Sequence, residues 1–297
     1  MGFKTWFRKR GFLYIFLLPA LFFLIGFTLY PIIYNFIISF QEVDAMTLNV
    51  PDKEFVGLMN YYEILGDSLF LTVLKNSIVF TLGSVLFQFL IGFALALFLS
   101  KKFLLNNVIR GLIVIGWIIP PVVVATIWRW LLNTDFGLFN YIMSQIGILS
   151  SNISWLTNPS TAMIGVLIAN IWFGIPFNMM LMIGGITGLP QNIYEAAEID
   201  GANWLQKLIY LTIPMLKQTI AATITLGIIY TFKVFALIWV MTGGGPVNVT
   251  NVLPIWSYRL SFDYFNFSEG AVVANVMFII MLLFSFGYMK FTSEGEV

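Results

Sequence analysis

Two stripes of side chains have the make-up of a ligand-binding face. Asn170, Phe173, Gly174 and Phe177 recur at i, i+3, i+4 and i+7, which sets an amide, two rings and a notch on one side of a helix. Gly227, Tyr230, Thr231 and Val234 repeat that spacing. Such a face suits a sugar, whose hydroxyls take hydrogen bonds and whose apolar faces lie on rings. The same residue types also hold apolar helices together, and on the residues alone packing is the stronger account of both stripes. Lys233 is a third candidate, as the one basic residue well inside a long apolar segment. An embedded charge marks function by default, yet this lysine lies toward one end, where snorkelling or a structural ion pair also accounts for it.

Other chemistries are excluded by what the chain lacks. It contains no cysteine and no histidine, which removes disulfides, thiolate chemistry, Cys/His metal sites and imidazole acid–base catalysis. No G-x-x-x-x-G-K-[ST] loop is present, so any ATP that drives this protein is bound by another chain. The net charge of +1 gives no reason to expect nucleic acid. Neither a catalytic residue nor a metal ligand is therefore expected. An ion-coupled secondary transporter would place a carboxylate within its apolar segments. On sequence every Asp and Glu falls in a loop or terminus.

The elements that position these residues follow from composition. Of 297 residues 59% are hydrophobic and 10% charged, with a mean hydropathy of +0.90. Soluble domains carry about 25% charge, because their surfaces must be wetted. The expected fold class is all-α, a polytopic membrane protein of six spans: 12–40, 71–99, 108–132, 162–183, 219–240 and 271–291. Pro120-Pro121 and Pro176 interrupt spans, which lipid tolerates only where the freed backbone faces protein or a watery cavity. Residues 1–11 form a basic N-terminus, 12–291 one transmembrane domain and 292–297 a tail. The first segment is too long for a signal-peptide core and reads as an uncleaved span. Lys4, Arg8, Lys9, Arg10, Lys101, Lys102, Arg110, Lys207, Lys217 and Lys290 fall on one side of this drawing. By the positive-inside rule that side, with both termini, is cytoplasmic.

The longest cytoplasmic loop, 184–218, carries the strongest local pattern. Pro190 suits a helix start, Glu195 to Glu198 favour its continuation, and Gly201 permits the break that ends it. A second short stretch, 202–210, follows, and Pro214 precedes span five. The result is a helix–turn–helix knob with small residues at its centre and Glu195, Glu198 and Asp200 on its rim. Helices that lie on lipid are usually basic on the polar face, so this charge sign favours a protein partner.

Glu195-Ala196-Ala197, three residues, Gly201, nine residues and Leu211-Thr212-Ile213-Pro214 resemble the EAA loop of ABC-importer permeases. The run Phe235 to Thr242-Gly243-Gly244-Gly245-Pro246 is similar to that of maltose-type sugar permeases, with Ala236 where Asp is common. Arg110-Gly111, Trp117, Pro120-Pro121 and Trp128 through Leu138 belong to the same resemblance, and the C-terminal sequence looks like the maltose-F-type half. The resemblance implies a type I importer permease fold with a cytoplasmic coupling helix. It implies ATPase coupling through Glu195, Ala196, Ala197, Asp200 and Gly201. Counting from Glu195, it sets Asn170, Phe173, Gly174, Phe177, Tyr230, Thr231 and Val234 at sugar-contacting positions, with Trp117 at another. Phe177 and Val234 depart from the polar or phenolic residues usual there. The implied partners are a second permease subunit as heterodimer, two ATPase subunits carrying ATP and Mg, and an extracytoplasmic sugar-binding protein. The implied location is the bacterial cytoplasmic membrane. A polyol or a glycerophosphodiester is the alternative solute.

Overall fold

The computed structural model describes residues 16–101 and 103–293. The expected basic terminus 1–11 lies outside them, as do residues 294–297. The described chain is helical, with no strand among these residues beyond two isolated bridges, Gln41 with Phe55 and Asp44 with Asn266. Four helices are long and apolar enough to cross a membrane: α1 (Phe16–Ile38), α3 (Ser68–Leu99), α7 (Ala162–Thr187) and α13 (Phe267–Ser293, apolar over Phe267–Tyr288). Two bent pairs, α4 (Asn106–Ile118) with α5 (Pro121–Leu131) and α9 (Trp204–Met215) with α10 (Lys217–Phe232), bring the number to six if each pair is one span. Shorter helices are α2 (Met59–Gly66), α6 (Leu138–Gln145), α8 (Gln191–Ile199), α11 (Ala236–Met241) and α12 (Leu253–Tyr258).

The expected third span is broken rather than continuous. α4 and α5 meet at 98°. The cause is local: a residue before proline is pushed out of the helical region. Ile119 precedes Pro120 and has ψ 132°, and Pro120 precedes Pro121 and has ψ 139°. Two consecutive extended residues end one helix, and Pro121 opens the next. With 11 residues α5 is about 16 Å long, too short to cross alone. The expected fifth span is also corrected. It stops at Phe232, Lys233 caps it, and 236–241 form a separate helix. The sixth begins at Phe267 instead of residue 271, which puts Glu269 in its first turn. The expectation that every carboxylate lies outside the spans therefore fails at Glu269, where the positive end of the helix favours an anion.

The chain divides into two compact units. One comprises the described residues up to Asp67 together with Ser257–Val276. Its interior holds a polar network: Asn35 Nδ2 donates to Asn275 Oδ1 at 2.7 Å, and Asn275 Nδ2 to Ser39 Oγ at 3.0 Å and Tyr61 Oη at 3.0 Å. Hydrogen bonds of this kind tie apolar helices together where the hydrophobic effect between them is weak.

The other unit comprises Ser68–Trp256 and the chain from Met277. Its frame is the pairing of α3 with α7, the most extensive helix contact in the chain. Glycine permits it: a Cβ on Gly92 would fall 2.7 Å from the Asn178 Cβ and 3.0 Å from the Met179 backbone nitrogen. Around this frame Phe80, Val124, Ala125, Val166, Ala169, Leu237 and Ile238 form the buried core that seats α5 and α11 against α7.

Candidate functional site

Seen from its residues, the knob is held together by its own caps and cross-links. α8 ends in a left-handed Gly201 at φ +78°, with the Gly201 N–H donating to Glu198 O and the Ala202 N–H to Ala197 O. These two bonds cap the helix in the manner expected of glycine after a C-terminus. α9 opens with reciprocal bonds between Asn203 and Gln206, each side chain accepting from the other's backbone N–H at 2.8 and 2.9 Å. The helices are then clamped together: Lys207 Nζ lies 2.7 Å from Glu198 Oε1, and Tyr194 Oη lies 2.8 Å from Thr212 Oγ1. Glu198 is thus turned to a partner within the knob, a correction to the acidic rim read from sequence. The hydrogen bond and charge of Lys207 hold its carboxyl below the usual glutamate range. Glu195, Ala196, Asp200 and Gly201 are exposed and Ala197 half-buried, all on one short element. Beside them Ile199 is 88% and Trp204 58% exposed.

The stripe residues converge elsewhere. Trp117, Asn170, Phe173, Gly174, Phe177, Tyr230, Thr231, Lys233 and Val234 all line one cavity of about 480 Å³. That size lies within the range of small-molecule sites. They come from α4, α7 and α10 with its C-terminal turn. The breaks matter here: α4 ends at Ile118, so the Trp117 ring stands at the mouth of a bend, and α10 ends at Phe232, so Lys233 and Val234 turn into the same space. Trp117, Phe177 and Tyr230 form a continuous aromatic wall, with centroids 5.5 Å apart in the first pair and 5.4 Å, edge to face, in the second. Lys233 Nζ sits 5.0 Å from the centre of the Tyr230 ring. It also caps the C-terminal end of α10, where the helix dipole favours a cation. The Lys233 charge is thus held by a ring and a helix end.

Asn170 differs from expectation in its commitments. It is 2% exposed, and its Nδ2 donates to Ser84 Oγ on α3 at 2.9 Å. Part of its hydrogen-bonding capacity therefore joins two helices. The stripes also missed Gln88 on α3 and Pro121, Phe235, Ala236 and Leu237, which complete the wall. Ala236 presents a methyl group where the resembling sequences carry a carboxylate. The Thr242–Pro246 run lies apart from this wall. Gly243 and Gly244 have φ of +60° and +91°, and Thr250 Oγ1 ties the turn to Thr242 Oγ1 at 2.7 Å and to Gly245 O at 2.6 Å. It borders a second, more polar cavity of about 540 Å³ that includes Arg129, Thr134 and Thr157. A larger groove of about 880 Å³ along α10 and α13 is lined mainly by aliphatic side chains and lacks a convergent polar set to orient a solute.

Residues 88–291 match the family of binding-protein-dependent transport system inner membrane components. The chain belongs to that family. The permease is 31% identical over 97% of its length to the trehalose/maltose transport system permease protein of Thermococcus litoralis, covering 95% of that relative. It is 28% identical over 95% of its length to the diacetylchitobiose uptake system permease protein of Streptomyces coelicolor, covering 87% of it. In fold it matches a chain of a bacterial alginate ABC transporter, solved in complex with an alginate pentasaccharide-bound periplasmic protein. The TM-score there is 0.82 at 20% identity, over 96% of this chain and 95% of that one. The expected all-α importer permease fold is borne out, and so is the role of a multi-pass membrane subunit in a binding-protein-dependent transporter.

Proposed function

We propose that the permease passes a sugar or small oligosaccharide through the 480 Å³ cavity by alternating access. The observation that carries this reading is the convergence of nine residues from three helical segments on one aromatic-walled space. The aromatic wall of Trp117, Phe177 and Tyr230 offers apolar surface to a sugar ring, while Thr231 and the Tyr230 hydroxyl offer hydrogen bonds. Sugar-named relatives that align along nearly the whole chain support the same substrate class.

In this reading the energy comes from two separate ATPase subunits that hold ATP and Mg. They close on the α8–α9 knob of this chain and on its counterpart in a second, different permease subunit. Glu195, Ala196, Ala197, Asp200 and Gly201 form the contact, and the exposed Ile199 and Trp204 give it apolar surface of the kind that marks a protein interface. Clamped α8 and α9 move as one piece, so closure of the ATPases reaches α10 directly. An extracytoplasmic binding protein delivers the sugar on the opposite side. The chain then lies in the bacterial cytoplasmic membrane with both termini inside.

The test is to purify the permease with its co-expressed neighbours, reconstitute it in liposomes, and measure uptake and ATPase stimulation with trehalose, maltose and diacetylchitobiose. Sugar-dependent stimulation of both is the expected result. Stimulation by a polyol or a glycerophosphodiester and by none of the sugars would sink the assignment.

A further inference from the structure

Gln88 gives the cavity a polar corner that neither helical stripe accounts for. It is 4% exposed and lines the cavity from α3. Its Nε2 donates to the backbone carbonyl of Asn170 at 2.8 Å. A carbonyl oxygen only accepts, so the nitrogen must be the end that meets it, and this fixes which way the carboxamide points. Oε1 is then the other end. Among the described residues it has no hydrogen-bond partner. It is also absent from the side-chain oxygens that are sealed without one, namely those of Thr81, Asn106, Asn178 and Asn251. An acceptor that is accessible, unpartnered and carried by a cavity-lining residue opens on the cavity.

The seat of this group is built into the facing helix. A Cβ on Gly174 would fall 2.3 Å from the Gln88 Cδ and 2.6 Å from its Oε1. The carboxamide therefore lies across the Gly174 backbone in the space a side chain would fill. Gly174, read from its spacing as a notch for a ligand, is the notch for Gln88.

We infer that Gln88 orients the transported solute: Oε1 accepts a hydrogen bond from one of its hydroxyls, and the Nε2 bond to Asn170 keeps Oε1 aimed. This rests on the reading of the cavity as a sugar pathway. An acceptor fixed at that corner favours a solute hydroxyl there over an ether oxygen, which has no proton to donate to it.

The test uses the whole reconstituted transporter at saturating binding protein, with whichever of trehalose, maltose and diacetylchitobiose the wild type imports fastest. Gln88→Met keeps the length and removes the amide. Uptake should fall roughly threefold to tenfold, the loss of one hydrogen bond. Singly O-methylated forms of the same sugar give the readout that packing would not move. One of them should be imported several-fold more slowly than the parent by the wild type, and Gln88→Met should erase that difference. The double variant Gln88→Ala with Gly174→Ala refills part of the vacated space with a methyl group and serves where Gln88→Met does not assemble. It should stay impaired. Wild-type uptake in the double variant, or unaltered discrimination among the methylated sugars in Gln88→Met, overturns the assignment of Gln88. Import of none of the sugars by the wild type overturns the sugar reading itself, and the Gln88 role with it.

Discussion

The side chains of the cavity divide into those that hold the frame and those that would face a solute in the proposed pathway. Tyr230 is 51% exposed, and its ring contacts are to Phe177 and Lys233. Tyr230→Ala should therefore lower sugar uptake several-fold while the complex assembles and melts as before, whereas Tyr230→Phe keeps the ring and should lose less. Uptake assays beside a thermal melt check this, and equal loss in both would assign the effect to the hydroxyl alone. Asn170→Leu should behave differently. It removes a buried bond to Ser84, so it should destabilise the α3–α7 seam by about 1–3 kcal/mol. A lowered melting temperature for Asn170→Leu, beside an unchanged one for Tyr230→Ala, is the expected pair. The spacing of the stripes showed which residues share a face. It could not show that the amide of Asn170 turns toward α3, because Ser84 is 86 residues away in the chain.

At the scale of elements, the knob and the helix breaks carry the proposed mechanism. Gly201 needs φ +78°, where an L-residue with a Cβ pays roughly 1–2 kcal/mol. Gly201→Val should unseat the cap of α8 and uncouple ATPase activity from sugar, leaving binding-protein affinity intact. Glu195→Ala should uncouple without destabilising, because its side chain is exposed. Normal sugar-stimulated ATPase activity in either variant would remove the knob from the coupling path. Glu198 adds a pH dependence. Its carboxyl is held below the usual 4.5, so the Lys207 clamp contributes fully above that value and is lost as pH falls through the lower folded value. Hydrogen exchange at α8 should accelerate as acidification proceeds below pH 4.5, and Glu198→Gln should abolish that acceleration. The knob was legible because its signals are local: a helix starter, small residues and a turn glycine within twenty positions. The breaks at Ile119–Pro120 and at Lys233 were legible only in part. Paired prolines announce an interruption, but whether the chain then continues or turns by 98° depends on what the next helix packs against.

For the whole molecule, the absence of cysteine offers a direct test of orientation. Single cysteines at Lys53 and at Gln206 should label oppositely with a membrane-impermeant maleimide. Lys53→Cys should react in intact cells and Gln206→Cys only after permeabilisation, and the reverse pattern would invert the proposed topology. Composition determined the membrane class by itself, since a chain with 10% charge has too few groups to wet a globule. The order of apolar segments and the basic residues between them led to the six-segment plan, and the loop around Glu195 to Pro214 supplied the resemblance behind the proposed coupling element. These are properties of length, charge and short-range spacing, which a linear chain carries without folding. Tertiary structure decided the rest. It gathered nine candidate residues into one cavity, pointed Lys207 at Glu198, moved the Thr242–Pro246 turn to a separate cavity, and brought in Gln88 from α3, outside both stripes read as candidate binding faces. The reason is physical: α3 carries its own polar stripe, Ser77, Thr81, Ser84 and Gln88 at helical spacing, but spacing alone does not say which neighbouring helix that face meets. Gln88 acquires its direction only where Gly174, on another helix, leaves room for it.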